Sequence, residues 1–105
     1  MATYIALVNF TDQGVRQIRQ TTERAKALIN AAANLGVQIK DIYWTMGAFD
    51  AVVTAEADDD QAVMAFTASI SSLGNIRTQT LRAFSAAEMS KILDRVPAGN
   101  FSSAK

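Results

Sequence analysis

Apolar positions along the chain change their period several times, and each change marks an element. Thr3 to Phe10, "TYIALVNF", is short, rich in β-branched and aromatic residues, and followed by turn formers. That pattern predicts a strand. Tyr4, Ala6, Val8 and Phe10 fall in one phase, Ile5 and Leu7 in the other. A strand apolar in both phases is usually buried on both faces. The period then lengthens. Val15, Ile18, Thr22, Ala25, Ile29 and Ala32 recur at steps of three and four, and Leu28 and Leu35 widen the stripe. This predicts one amphipathic helix. Arg16, Arg19, Glu23, Arg24 and Lys26 fall mostly off its apolar stripe. Thr11 or Asp12 can cap its start, Gly14 loosens its first turn, and Asn34 to Gly36 stop it, with Gly36 in the left-handed conformation.

"VQIKDIYWTM", Val37 to Met46, returns to strand character, but its apolar phase slips. Val37 and Ile39 share one phase, whereas Ile42, Trp44 and Met46 share the other. A β-bulge near Lys40 and Asp41 restores the alternation, as edge strands often do. Gly47 to Phe49 predict a tight turn, and "DAVVTAEA", Asp50 to Ala57, the returning strand. Asp58 to Asp60 then open a second helix, where one aspartate serves as N-cap and the others favour the positive end of the dipole. Val63, Phe66, Ile70 and Leu73 carry its apolar spacing, and "SLGN" closes it. Ile76 to Phe84 predict a fourth strand. "SAAE", Ser85 to Glu88, is a capping box that starts a short helix through Met89, Ile92, Leu93 and Val96.

The order is βαββαβ with a trailing helix. It predicts an α+β domain over residues 1–96: a four-stranded antiparallel sheet of split-βαβ type, with both long helices on one face because both crossovers are right-handed. Residues 97–105 carry no pattern and are expected to form a loose tail. Such a sheet leaves one face bare, yet these strands are apolar in both phases. Burying one large side chain is worth roughly 1.5–3 kcal/mol. A homo-oligomer, a dimer or larger, is therefore expected, its partner chain covering the open face or an edge strand.

Composition narrows the chemistry. The chain has 105 residues, half of them apolar, and a formal net charge of +0. One core and one domain fit that length. No basic stripe points to nucleic acid, and nothing favours an anionic membrane surface. Cysteine and histidine are both absent. That excludes disulfides, thiolate metal sites, a cysteine nucleophile, histidine-ligated haem and a Ser-His-Asp triad. The N-terminus, "MATYIALVNF", lacks the basic leader and long apolar segment of a signal peptide. No apolar run approaches the ~18 residues of a membrane span. A cytoplasmic location, no metal and no cofactor are the resulting expectations.

The segments "YIALVNFTDQG", "IYWTMGAFDAVV" and "SLGNIRTQTLRAF" together resemble the GYD-domain family. The resemblance runs over nearly the whole chain and stops before the tail after Val96. It implies a ferredoxin-like fold of the dimeric α/β-barrel kind and no established activity. By position, the signature turn is Gly47, Phe49 and Asp50. Tyrosine is usual where this chain has Phe49, so no phenol can donate a proton or hydrogen bond there.

Gly47 reads first as a turn glycine that tolerates positive φ. Asp50 reads either as an acceptor of backbone N–H bonds within the turn or as a pocket carboxylate paired with Arg77 or Arg82. Alternation puts Leu81 towards the helices and Arg82, with Thr78 and Thr80, on the other face. There Arg82 either discourages stray strand pairing or joins the two threonines in a polar strip that holds a small anion inside the oligomer. Tyr43 and Trp44 point to opposite sides of an edge strand, and Trp44 is expected in core or interface packing or as a ligand platform. Asn9 ends an apolar strand and either bonds to a loop or belongs to a site. The ligand-binding candidates are thus Asn9, Trp44, Phe49, Asp50, Thr78, Thr80 and Arg82. The Asp58 to Asp60 run is expected to cap a helix, since no calcium-loop spacing follows. Three functions fit: a homo-oligomeric small-molecule-binding or interaction module, a cofactor-free, monooxygenase-like enzyme on a small organic substrate by fold analogy, and a structural assembly protein.

Overall fold

Four segments satisfy the strand pattern and pair in one antiparallel sheet in the order β2-β3-β1-β4. In the computed structural model, which describes residues 1–99, β1 is Ala2–Phe10, β2 Val37–Trp44, β3 Ala51–Ala57 and β4 Ile76–Ala83. The helices are α1 (Asp12–Arg16), α2 (Thr21–Asn34), α3 (Asp60–Ser72) and α4 (Ala86–Leu93). The sequence order and the sheet topology are those of a ferredoxin-like α+β fold. Residues 100–105 of the expected tail lie outside the described residues.

The core lies between one sheet face and the helices α2 and α3. Tyr4, Val37, Ala55 and Ala57 of the sheet are buried with Ala32 of α2 and Phe66 of α3. Val8, Ala51 and Val53 continue the buried layer towards the other end of the strands. Along β3 the burial alternates strictly, and Ala51, Val53, Ala55 and Ala57 all face the helices. The small side chains let the helices sit close to the central strands. The β2 bulge falls between Ile39 and Asp41, where the phase slip placed it. One extra residue there keeps Val37, Ile39, Ile42 and Trp44 opposite Ala57, Ala55, Val53 and Ala51, all on the helix side. Without it, Ile42 and Trp44 would turn outwards.

Local signals end the elements as the sequence implies. Gly36 has φ +82°. Asp59 caps α3 by accepting from the Ala62 N–H at 2.7 Å. Ser85 and Glu88 form both arms of the capping box of α4.

Three expectations need correction. The first long helix is broken: α1 ends at Arg16 and a 3-10 turn over Ile18–Gln20 leads into α2. The stripe rotates with the break. Leu28 and Ala32 pack on the core, whereas Val15, Ile18 and Ile29 are left exposed. Gly14 explains part of this. It is buried, and a Cβ there would lie 2.1 Å from the Asn75 carbonyl oxygen. Thr11 also donates its N–H to that oxygen at 3.0 Å, so α1 is tied to the α3–β4 loop before α2 begins. Secondly, the β2–β3 connection is not a tight turn but a six-residue loop from Thr45 to Asp50, and β3 starts at Ala51. Thirdly, β4 faces the opposite way. Tyr4 pairs with Arg82, Ala6 with Thr80 and Val8 with Thr78. Directly opposed residues share a face, so Thr78, Thr80 and Arg82 lie on the helix side. Leu81 lies opposite Ile5, on the open face.

Candidate functional site

The register builds two surfaces from the same strands. On the open face, Ile5 and Leu7 of β1 stand opposite Leu81 and Gln79 of β4. Leu7 also faces Val52 of β3, and Val52 faces Tyr43 of β2. No described helix covers them. Tyr43 is 60% exposed and Leu81 42%. Polar residues frame this apolar centre. Thr54 donates to Asp41 at 3.3 Å on one side, and Asn9 stands opposite Arg77 at one end. At that end Leu7, Asn9, Phe49, Arg77, Thr78 and Gln79 line a hollow of about 220 Å³.

The second surface is a cleft of about 460 Å³ on the helix side, between α3 and β4. It exists because α3 leaves the outer strand β4 partly uncovered. Thr78, Thr80 and Arg82 form one wall, Val63, Met64 and Thr67 the other, and Tyr4 and Asp60 close it. The Tyr4 hydroxyl donates to Asp60. That hydrogen bond, and then burial, raise the Tyr4 phenol above its ordinary value. The Arg82 guanidinium lies 4.4 Å from the Phe84 ring centre and 5.6 Å from that of Tyr4. It donates to the carbonyls of Thr3 and Ala83 and stands 3.9 Å from Glu88. Glu88 is held below the usual carboxylate range, first by the Ser85 backbone N–H and then by the Ser85 hydroxyl. Chemically the cleft offers a carboxylate, a guanidinium and three threonine hydroxyls beside the apolar Val63 and Met64, which suits a small ligand of mixed polarity.

The signature loop is fastened to the central strand. Asp50 accepts from the Phe10 N–H at 2.8 Å, and its own N–H donates to the Val8 carbonyl at 2.8 Å. The carboxylate thus accepts a backbone N–H from β1, not from within the turn. Among the described residues it forms no ion pair with Arg77 or Arg82. Thr45 closes the loop through bonds to the carbonyls of Asp50 and Phe49. Gly47 has φ +110° with open space around it, which explains glycine by conformation alone. Trp44 lies on the helix side, and its indole N–H donates to the Thr21 hydroxyl at 2.9 Å.

The seven candidates therefore do not converge within one chain. Asn9 and Phe49 meet in the hollow at the end of the open face, which Thr78 also borders; Thr78, Thr80 and Arg82 meet in the cleft; Trp44 and Asp50 stand apart, each in its own hydrogen bond. Tyr4, Asp60, Val63, Met64 and Thr67 complete the cleft but were not candidates. The signal for Asp60 was available: a run of three aspartates needs only one cap, and Asp59 takes that role. Among the described residues, no group of three or more histidine, cysteine, aspartate or glutamate side chains is arranged to hold a metal. No described helix is long and apolar enough to cross a membrane.

Comparison with known proteins adds to this geometry. The GYD domain family model matches residues 4–93. A protein of Thermus thermophilus named "Glutamine synthetase and cystathionine beta-lyase binding protein" is 30% identical over 90 residues, covering 85% of this chain and 95% of that protein. The crystal structure of TTHA0845 from the same organism superposes with a TM-score of 0.54 at 28% identity, over 82% of this chain and 96% of that one. At3g17210 of Arabidopsis thaliana gives a TM-score of 0.41 at 16% identity, over 82% of this chain and 98% of that one.

Proposed function

The chain belongs to the GYD-domain family, and from that premise we propose that it is a homo-oligomeric module that binds a partner protein, as the name of its Thermus relative describes for that relative. The observation that carries the reading is the open sheet face. Ile5, Leu7, Val52, Tyr43 and Leu81 form one apolar surface with a polar frame, the composition of an interface core and rim. A flat, apolar face of this kind is satisfied by a second copy across a two-fold axis.

Association through that face leaves α4 free for another protein. Phe84, Met89, Leu93 and Val96 are each about half exposed, and α4 is an amphipathic helix with its own cap. A helix of that form docks by its apolar stripe into a groove. Light scattering during gel filtration tests the first half: the wild type runs as a dimer or larger, and Leu81→Arg runs as a folded monomer. A monomeric wild type at micromolar concentration rejects it. Biolayer interferometry against purified glutamine synthetase and cystathionine beta-lyase tests the second. Saturable binding to either, weakened by Leu93→Asp, supports it; no binding to both sinks it.

The cleft favours a second reading, in which the module also takes a small molecule. Thr78, Thr80 and Arg82 converge there beside the Tyr4–Asp60 pair. Native mass spectrometry of the purified protein tests this reading. A retained small molecule that is lost in Arg82→Ala supports it, and retention unchanged in that variant removes the site.

A further inference from the structure

Arg24 carries a charge that the interaction surfaces do not use. It stands at the wall of a groove of about 230 Å³ between α2 and the end of α3, otherwise lined chiefly by Leu28, Ala31, Ile70, Leu73 and Ile76. Arg24, Leu28 and Ala31 fall at steps of four and three, so one stripe of α2 faces the groove. The Arg24 Nη1 is buried and has no hydrogen-bond partner. Buried polar groups are nearly always paired, and one that is not points to a bound ion or solvent molecule.

Four acceptors at the end of α3 and in the loop after it are already engaged. A helix C-terminus attracts a cation through its free carbonyls. At the end of α3, however, the Leu73 carbonyl accepts from Gln13 at 3.1 Å and the Gly74 carbonyl from the Thr11 hydroxyl at 2.6 Å. The Asn75 carbonyl accepts from the Thr11 N–H at 3.0 Å, and Asn75 Oδ1 accepts from Gln13 at 2.8 Å. Glu23, the acid beside Arg24 in sequence, pairs instead with Lys26 at 3.4 Å.

We propose that this groove binds a small carboxylate with a branched apolar tail. The carboxylate pairs with the Arg24 guanidinium, whose terminal torsion turns Nη1 towards it, and the tail packs among Leu28, Ile70, Leu73 and Ile76. A guanidinium fork matches carboxylate and phosphate alike. The walls decide between them. Apart from Arg24 and Asn75 they are apolar, so the further oxygens of a phosphate would lie unpaired against hydrocarbon, whereas a carboxylate leaves only hydrocarbon to bury. An α-ammonium beside Arg24 would meet a second cation, which disfavours a free amino acid. A groove of about 230 Å³ has room for a short branched acid such as 4-methylpentanoate.

The test is a titration of the full, isotope-labelled chain with 4-methylpentanoate, followed by amide chemical shifts. Saturable shifts centred on Ala27, Ala31 and Leu73 are expected. Loss of the charge, in 4-methylpentanamide or in Arg24→Gln, weakens binding by about tenfold or more, the scale of a hydrogen bond to a charged group. Acetate, which lacks the tail, binds as weakly. Ala31→Met fills the groove while leaving Arg24 in place and also abolishes the shifts. Equal binding of acid and amide, unchanged affinity in Arg24→Gln or Ala31→Met, or the absence of saturable shifts overturns the proposal. Tighter binding by a peptide ending in leucine reassigns the groove to a protein terminus and overturns the small-molecule ligand. Arg24→Gln leaves the open face untouched, so gel filtration of this variant keeps the outcome separate from that of self-association.

Discussion

The two faces of the sheet differ less in side-chain chemistry than in what stands next to them. On the helix side, Tyr4 and Val8 of β1 are 6% and 5% exposed. On the open side, Ile5 and Leu7 of the same strand are as apolar but only half-buried. Over the central strands β1 and β3 the helix side is finished within one chain, by Phe66, Leu28 and Ala32. The open side has its pattern and frame but no cover. Under the proposed self-association, a strand that alternates between Val8 and Leu7 carries one instruction for folding and a second for association.

Removing a cover residue from the finished side has the largest expected effect. Phe66→Ala should destabilise the chain by about 3–5 kcal/mol, read from the midpoint of denaturant unfolding. Leu7→Ala on the other face sharpens the contrast. Its loss should approach about 2–5 kcal/mol where the chain is associated and shrink on dilution, because only a covered leucine leaves a cavity. A Leu7→Ala loss that does not change with protein concentration would break the distinction between the two faces.

Asp50 tests whether the signature loop belongs to the finished side. Asp50→Ala leaves the Phe10 N–H without its acceptor and should cost about 1–3 kcal/mol, with amide exchange rising first at Phe10. Unchanged stability would mean that the carboxylate is free for another role. The smallest effect lies at α4. The Glu88 carboxyl is held below its ordinary value in the folded chain. Its contribution is therefore complete above the ordinary carboxylate value and lost as pH falls through the lowered one. The Ser85 amide shift should report that loss as fraying of α4 alone, while the resonances of Phe66 stay native.

Where structure follows from near neighbours, it was legible. The Ser85–Glu88 box, the Gly36 stop and the Lys40 bulge each depend on a few adjacent residues, and each stands where the pattern put it. The faces of β4 were not legible by the same means. Leu81 drew that strand's apolar side towards the helices, but β4 is an outer strand that α3 covers only in part. Its helix side can therefore carry Thr78, Thr80 and Arg82. Only the pairing of Tyr4 with Arg82 decides the matter, and that contact spans most of the chain. Arg24 misled for a related reason. It lies off the stripe of an unbroken helix, and the break after Arg16 turns it towards α3. The candidate site was thus legible as a set of residue types and not as a place.

The bulge at Lys40 has one more effect. β2 forms a border of the sheet, and there its backbone is kinked and bears an exposed lysine. A bent, charged margin is a poor template for the backbone of another strand. Lateral growth into a ribbon by strand pairing is therefore blocked along that side of the sheet.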